Sequence, residues 1–176
     1  MISLSFIFSK LGGMGPVILY LIANYLLWDK PATFYYYQVG FLISTILNLV
    51  LKCIIKQPRP SEDPKEFNLA IKNGHRFIFK NGIPYDIFGM PSGHSNSALF
   101  TSVFVFLSLK DFKILSGFLI MSLLIMSQRV VDNRHTVFQV IVGASIGALC
   151  AYLFYYFSQS KLKGKIEEKP DDNGPL

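Results

Sequence analysis

Five long apolar stretches divide this 176-residue chain, and they constrain its fold more than any other feature. Hydrophobic residues make up 51% of the chain, charged residues only 16%, and the mean hydropathy is +0.39. A water-soluble domain rarely needs so much apolar sequence, whereas a helix that crosses a bilayer needs roughly 20 apolar residues. The sequence therefore predicts an integral membrane protein, an all-α polytopic bundle of about five transmembrane helices.

Turns and charged residues bound the predicted spans. The spans cover about residues 12–28, 32–51, 93–109, 114–126 and 135–157. The third and fourth reach full bilayer length only if their helices extend into the neighbouring polar segments, which places polar residues on helix ends. Residues 2–8 are too few to cross, and we expect them to lie along the membrane interface. Gly143 and Gly147 in the fifth span predict close packing against a neighbouring helix.

The domain organisation follows from these boundaries. Residues 1–160 are expected to form one transmembrane domain, and residues 161–176 a polar, disordered tail. Residues 52–94 form one long polar connection, and a connection of this length inside a compact domain is usually functional. Because two spans separate this connection from the short one at residues 127–135, both face the same side of the membrane.

Positive charge suggests which side that is. Lysines with no evident chemical task flank the opposite side of the predicted bundle, so we place the C-terminal tail in the cytoplasm. The two polar connections then face the lumen or the outside, which would be the lumen of the endoplasmic reticulum in a eukaryote. The net charge of +6 does not indicate nucleic acid binding, because no basic face interleaved with aromatic residues is present. We expect a lipid or phosphate partner instead.

No pattern in the sequence indicates a metal or another cofactor. Cys53 and Cys150 lie in apolar segments without metal-ligand or redox spacing, so we expect both to be buried free thiols. Glu62, Asp63 and Glu66 are close together, but they sit in a proline-flanked segment where solvation is the simpler explanation. The sequence therefore predicts metal-independent chemistry.

The first polar cluster lies at the end of the second span. Lys52 is followed by Arg59 nearly two helical turns later, and Pro58 and Pro60 hold Arg59 in an extended segment past the helix end. A lysine point charge and a planar guanidinium aimed at one place suit the oxygens of a phosphate. The alternative is that these cations only mark the membrane boundary.

The second cluster, Pro91-Ser92-Gly93-His94, precedes the third span. Proline and small residues at a helix start expose unpaired N–H groups and the positive end of the helix dipole, which attract anions. Gly93 lets the backbone approach a ligand closely, and Ser92 could add a hydroxyl donor. A helix cap would explain Ser92 equally well, but it would leave His94 unexplained.

The third cluster is Arg129 and His135, which bracket the second connection. We predict that His135 opens the fifth helix and that Gln139, one turn further, accepts a hydrogen bond from the imidazole Nδ1–H. Nε2 would then present a free lone pair. The alternative is an interfacial histidine without a role, and we expect a surface position for His75, which has no cationic neighbours in sequence.

Together the three clusters place three cations, a helix start and two histidines on one side of the membrane. Such a set can hold a phosphate, attack it and protonate the group that leaves.

In order and spacing these clusters resemble the signature of the type 2 phosphatidic acid phosphatase superfamily, the membrane relatives of the vanadium haloperoxidases. The resemblance spans about residues 32–150. It implies that His135 attacks phosphorus and forms a phosphohistidine, and that His94 protonates the leaving oxygen. The groups it implies for holding the phosphate oxygens are Lys52, Arg59, Ser92, the Gly93 N–H and Arg129.

Two positions depart from the common pattern of that superfamily. Gln128 stands where a serine usually precedes the arginine, and Gln139 replaces the carboxylate that usually orients the nucleophilic histidine. A neutral amide stabilises an imidazolium less than a carboxylate would. The His-Thr-x-x-Gln pattern, with Gly-Met-Pro-Ser upstream, is similar to the dolichyl diphosphatase branch, which favours a polyprenyl diphosphate substrate.

The resemblance implies an integral membrane hydrolase that removes phosphate from a lipid phosphate or diphosphate. Phosphatidic acid or phosphatidylglycerol phosphate is the alternative substrate. Gln128 and Gln139 also leave open a non-catalytic lipid-phosphate binding or transport protein on the same scaffold. Haloperoxidase chemistry is disfavoured, because those relatives are soluble and this chain is strongly apolar.

Overall fold

The computed structural model describes residues 4–80 and 82–162. Within these ranges the chain forms six helices and one two-stranded antiparallel hairpin, in the order α1 (Leu4–Leu27), α2 (Pro31–Ile55), α3 (Pro64–Lys72), β1 (Phe77–Lys80), β2 (Ile83–Asp86), α4 (Gly93–Leu109), α5 (Phe112–Val131) and α6 (Val137–Leu162). The predicted fold class is confirmed, since the long helices form a bundle and the only strands of the described residues belong to the small hairpin.

Helices α1, α2, α5 and α6 are long and apolar enough to cross a membrane. Helix α4, with 17 residues, is shorter, and it occupies the centre of the bundle. Four long spans around one central helix agree with the predicted number of about five. The molecule is therefore organised as an integral membrane protein.

Helix α4 packs against α6 most extensively and also against α1, α2 and α5. Its Phe100 and Phe104 are fully buried, and the Phe104 ring lies 5.4 Å from the Tyr37 ring of α2. Lipid tails are as apolar as these side chains, so close packing rather than escape from water must hold such helices together. The pairs α1–α2 and α5–α6 touch much less.

Two glycines allow α6 to approach α4 closely. A Cβ atom added to Gly143 would lie 2.3 Å from the Ser92 carbonyl oxygen, and one added to Gly147 would lie 2.1 Å from that of Asn96. No side chain fits at either position, so the predicted close packing is confirmed. This seam sets the start of α6 beside the start of α4.

A similar pair of glycines joins α1 to α5. A Cβ atom added to Gly12 would lie 2.4 Å from the Gln128 side chain, and one added to Gly15 would lie 2.3 Å from the Ile125 side chain. The N-terminal half of α1 is therefore held against the C-terminal half of α5.

The long connection is folded rather than loose. Asp63 caps α3 by accepting hydrogen bonds from two backbone N–H groups of the first turn. Phe67, Ala70, Ile87 and Phe88 form a small apolar core between α3, the hairpin and the segment that follows it. This core fixes the chain on both sides of the hairpin, close to the ends of α2 and α4.

Some sequence predictions about helix ends were wrong. Residues 4–8 continue into α1 and are not a separate interfacial segment, while residues 2 and 3 lie outside the described residues. Backbone polar groups at membrane depth must be satisfied within the helix, which favours one continuous helix. Residues 161 and 162 end α6, and the rest of the predicted tail, residues 163–176, lies outside the described residues.

Other predictions about single residues also need correction. His135 does not open the last helix, which begins two residues later, because its N–H bonds back to the Arg129 carbonyl at 3.0 Å. Cys53 of α2 is exposed, and its sulfur accepts from Arg76 Nη1 at 2.9 Å, whereas Cys150 is buried as expected. Glu62 is buried, with 8% of its surface exposed, and is not a solvated loop residue.

Candidate active site

The polar clusters meet at one end of the bundle, and backbone hydrogen bonds hold them there. The Ser92 N–H donates to the Gln139 carbonyl at 3.1 Å, which ties the start of α4 to the first turn of α6. The Gly89 N–H donates to the Gln57 carbonyl at 2.7 Å, which ties the segment after β2 to the end of α2. The order of the spans predicted that the clusters share one side of the membrane, but it did not predict these contacts between them.

His135 is almost completely buried, with 3% of its surface exposed. Its Nδ1 lies 2.8 Å from the Gly89 carbonyl oxygen and 3.2 Å from Gln139 Oε1. Both are acceptors, so Nδ1 carries the hydrogen. On the other side of the ring, Arg59 Nη1 donates to Nε2 at 3.4 Å. A guanidinium has no acceptor, so Nε2 presents its lone pair.

Electrostatics keep this ring neutral. Burial, followed by the positive charges of Arg59 and Lys52, lowers the pKa of His135 to about 3. The Gln139 hydrogen bond acts in the opposite direction and is the weaker effect. At neutral pH the ring is therefore an unprotonated base with its lone pair on the cationic side.

The Gln139 amide has one possible orientation. Its Oε1 accepts from the Thr136 N–H at 3.2 Å as well as from His135, while its Nε2 donates to Gln57 Oε1 and to the Pro58 carbonyl, both at 2.9 Å. Exchanging oxygen and nitrogen would set donors against donors and acceptors against acceptors. The prediction that Gln139 accepts from the Nδ1–H is confirmed. Gly89, the second acceptor, was not predicted.

Gly89 can serve as an acceptor because it has no side chain. A Cβ atom there would lie 2.6 Å from Gln139 Oε1. The glycine thus lets a backbone carbonyl reach a buried imidazole that a larger residue would block. The Gly-Met-Pro-Ser run of the sequence pointed to this position but not to its partner.

His94 lies in the first turn of α4 and is held from another helix. Its Nε2 is 3.2 Å from the Gly13 carbonyl oxygen of α1. Because a carbonyl only accepts, Nε2 carries a hydrogen and Nδ1 is the nitrogen left for other chemistry. Lys52, Arg59 and Arg129 act electrostatically on both His94 and His135, so the two rings share one cationic environment.

The three predicted cations are held differently. Lys52 is buried, donates to the Phe88 carbonyl at 2.5 Å and lies 3.6 Å from Asp86 Oδ2. Arg59 Nε donates to the Asp86 carbonyl at 2.8 Å. The buried Nε of Arg129 has no hydrogen-bond partner among the described residues. The Nε–H of Arg129 is therefore a donor that no residue in the described part of the chain uses.

Asp86, which was not predicted, organises the cations. Its carboxylate pairs with Lys52 and, at 3.0 Å, with Arg76, while its backbone carbonyl holds Arg59. Burial would raise the pKa of Asp86, but the Arg76 hydrogen bond and the Lys52 charge hold that pKa below its ordinary value. In the sequence, Asp86 stands out only as a single acidic residue shortly before the Pro91–His94 cluster. Its contact with the cations depends on the hairpin, which the sequence analysis did not predict.

Ser92 and Gly93 lie at the start of α4. The Ser92 hydroxyl oxygen accepts from the Ser95 hydroxyl at 3.0 Å and from the Ser95 N–H at 3.5 Å, so it caps the helix and keeps its own hydrogen to donate. Gly93 is the first residue of the helix, and its N–H has no partner within the helix.

Gln128 and the exposed His75 lie outside this cluster. Gln128 Nε2 donates to Asp132 Oδ2 at 2.5 Å, and Ser9 donates to the same carboxylate oxygen at 3.1 Å. Gln128 thus joins α5 to α1 near the rim of the site. His75 is exposed on the long connection, as expected.

This arrangement can be compared with known families. The sequence matches the family model described as the PAP2 superfamily over residues 34–163, which is most of the chain and includes every predicted site residue. The chain belongs to the PAP2 superfamily. The resemblance inferred from the three clusters is confirmed.

Two curated PAP2 relatives resemble the chain. Dolichyldiphosphatase of Saccharomyces cerevisiae is 35% identical over 128 residues, which cover 66% of this chain and 48% of the yeast protein. Lipid phosphate phosphatase epsilon 1, chloroplastic, of Arabidopsis thaliana is 31% identical over 141 residues, which cover 73% of this chain and 42% of the plant protein. The chain thus spans about half the length of the curated relatives it matches.

A solved structure shares the PAP2 fold. The crystal structure of Aquifex aeolicus LpxE superimposes with a TM-score of 0.66 and covers 87% of this chain and 86% of its own, at 20% sequence identity. At this identity the comparison supports the fold alone.

Proposed function

We propose that this PAP2 protein hydrolyses a membrane lipid diphosphate, with a polyprenyl diphosphate as the favoured substrate, through a phosphohistidine on His135. The observation that carries the proposal is the state of that ring. It is neutral, its Nδ1–H is held by two acceptors, and its Nε2 lone pair faces Arg59. A buried nucleophile beside a fixed cation suits attack on an anionic phosphate.

In the first step, His135 Nε2 forms a bond to the terminal phosphorus as the bond to the bridging oxygen breaks. His94 acts here as an imidazolium, a form that the negative charge of the bound diphosphate favours, and it gives its Nδ1 proton to the departing lipid monophosphate while its Nε2–H stays with the Gly13 carbonyl. The positive charge that develops on His135 is stabilised by the Gly89 carbonyl and Gln139 Oε1. In the second step, water gives a proton to His94 and attacks phosphorus, which releases inorganic phosphate and restores His135.

The transferred phosphoryl group needs positive partners on its equatorial oxygens. Lys52, Arg59 and Arg129 supply charge, while the Ser92 hydroxyl and the Gly93 N–H supply neutral donors. Arg129 needs no rearrangement because its Nε is unpaired among the described residues. Lys52 and Arg59 are already oriented by the segment that contains Asp86.

A diphosphate substrate suits a neutral orienting residue. Gln139 cannot offset the imidazolium charge as a carboxylate would, so a good leaving group such as a lipid phosphate asks less of this site. The yeast relative is named a dolichyldiphosphatase, which supports the same choice. The plant relative is named a lipid phosphate phosphatase, which keeps phosphatidic acid or phosphatidylglycerol phosphate as the second candidate.

We place the site on the luminal or outer face and expect the reaction to need no metal. Among residues 4–80 and 82–162, no group of three or more His, Cys, Asp or Glu side chains gathers as a metal-ligand set would. We expect activity to survive prolonged incubation with a chelator, and a lasting loss of activity would contradict a metal-independent reaction.

The test is a substrate panel with purified protein in lipid nanodiscs. Polyprenyl diphosphate, phosphatidate and phosphatidylglycerol phosphate are compared by phosphate release, with and without vanadate, which mimics five-coordinate phosphorus. Quenching with alkaline detergent during turnover of a labelled substrate should trap a base-stable, acid-labile phosphoenzyme in the wild type and none in His135→Ala. His75→Ala, an exposed histidine of the long connection, is the matched control and should retain both signals. Binding of all substrates without phosphate release would favour the non-catalytic alternative.

A further inference from the structure

A cavity of about 390 Å³ opens beside the phosphate site, between α1, α2 and α4. Its end nearest the phosphate site is lined by Lys52, Asn48, Gly93 and His94. Apolar side chains of α1 and α2, Pro16, Val17 and Leu49, line another part, and Thr45, Asn96 and Ser97 complete the wall. His135 and Arg129 are not among its lining residues. The cavity therefore lies on the His94 side of the site, where α1 and α2 touch little.

Asn48 lines this cavity and has a buried amide donor with no acceptor in the described part of the chain. Only 3% of its surface is exposed, and its Nδ2 has no hydrogen-bond partner among the described residues. It lies one helical turn before Lys52 on the buried face of α2, against Gly93 at the start of α4. Its neighbour Asn96, by contrast, donates to the Ser44 hydroxyl at 3.0 Å. Buried amide donors usually have an acceptor, so an unpartnered donor beside a cavity calls for a partner inside that cavity, a water or a ligand.

We propose that Asn48 Nδ2 donates to the lipid-linked phosphate of a diphosphate substrate, and that the apolar part of the cavity holds the first segment of its lipid chain. This inference rests on the function proposed above. The bond that breaks joins the terminal phosphorus to the bridging oxygen, and His94 protonates that oxygen. The lipid-linked phosphate therefore leaves on the His94 side, where Asn48 is the donor without an acceptor. A lipid monophosphate has no phosphate at this position.

The test compares two lipids that differ by one phosphate, a C15 isoprenyl diphosphate and the C15 isoprenyl monophosphate. Asn48→Leu keeps the number of side-chain heavy atoms and removes the donor, and Asn48→Ala is a smaller second variant in case the first fails to fold. Losing one hydrogen bond to a charged group should lower kcat/KM for the diphosphate about tenfold, and for the monophosphate by about threefold or less.

Thr45→Val is the matched control. Thr45 lines the same cavity one turn earlier, but its hydroxyl already donates to the Phe41 carbonyl at 2.8 Å. We expect this change to leave the ratio of the two kcat/KM values unaltered. Monodisperse elution and an unchanged unfolding temperature establish that each variant is folded.

Binding separates failure of this inference from failure of the proposed function. The probes are a C15 isoprenyl methylenediphosphonate, which cannot be hydrolysed at the bridge, and a C15 isoprenyl monophosphonate. If the wild type turns over neither lipid but prefers the diphosphonate about tenfold, and Asn48→Leu loses that preference, the subsite stands without the catalytic proposal. Equal losses for both lipids in the two Asn48 variants, or no loss for either, would overturn the subsite even if turnover is confirmed.

Discussion

The two histidines of the site sit in very different surroundings. His135 is enclosed, with two acceptors on Nδ1 and a guanidinium at Nε2, and all of these partners come from connections and helix ends. The His94 ring bonds to the Gly13 carbonyl of α1, and His94 borders a cavity. These surroundings suit the proposed roles, because a nucleophile must be held in one tautomer, whereas a group that protonates a departing lipid needs room beside it. The four tests below challenge this contrast.

The largest effect on turnover is expected from changing His94, the histidine that borders the cavity. His94→Asn should lower kcat for a lipid phosphate about 1,000-fold, within the usual range for loss of a general acid. An aryl phosphate, whose leaving group needs no proton, should lose far less. Steady-state kinetics on both substrates measure the difference. Equal losses would show that His94 positions the substrate rather than protonating it.

Asp86→Asn tests whether Asp86 holds in place the cations that surround His135. The amide keeps the shape of the side chain but removes the charge that pairs with Lys52 and Arg76. We expect kcat/KM to fall about 100-fold, because misplaced catalytic groups cost on this order, and the protein to lose about 3 kcal/mol of stability. Asp29→Asn, an exposed acid between α1 and α2, is the control for loss of one negative charge. An unchanged unfolding temperature would mean that Asp86 does not organise the cations.

Gly147→Ala tests the close packing of α4 against α6, which sets the segments that carry His94 and His135 beside each other. The added methyl group would meet the Asn96 carbonyl, so the α4–α6 packing must open. Overpacking of this kind costs about 2 kcal/mol, visible as a lower unfolding temperature. Gly117→Ala, on α5 with open space around it, should cost nothing or stabilise by up to about 1 kcal/mol. If both variants behave alike, the seam is not what limits stability.

Gln139→Glu is expected to have the smallest effect, and it tests how the residue beside Nδ1 controls the protonation of His135. The wild-type pKa of His135 is lowered to about 3, so the ring stays neutral as pH falls towards that value. A carboxylate beside Nδ1 favours the protonated form and raises this pKa, so the acid limb of the pH–rate profile should move to higher pH. We also expect kcat to fall about tenfold at neutral pH, because the new oxygen faces the acceptors of Gln57 and Pro58. An unmoved acid limb would contradict the assigned role.

Sequence patterns were most reliable where one physical requirement dominates. The length of apolar stretches reports bilayer crossing, so the bundle and its approximate spans could be predicted, and the small-residue pattern on α6 correctly indicated close packing. The Gln139 contact with His135 could also be predicted, because residues four apart in or beside a helix meet through local geometry. Helix ends were less reliable, as residues 4–8 and His135 show, because capping depends on bonds to distant segments.

The sequence alone determined the membrane bundle, the family and the set of side chains that we propose for phosphate transfer. Tertiary structure alone decided which of them meet and in what protonation state. Gly89, Asp86 and Asn48 acquire their roles from contacts that span tens of residues. Such contacts depend on burial and on the orientation of each donor and acceptor, and neither is encoded in a residue's immediate neighbours.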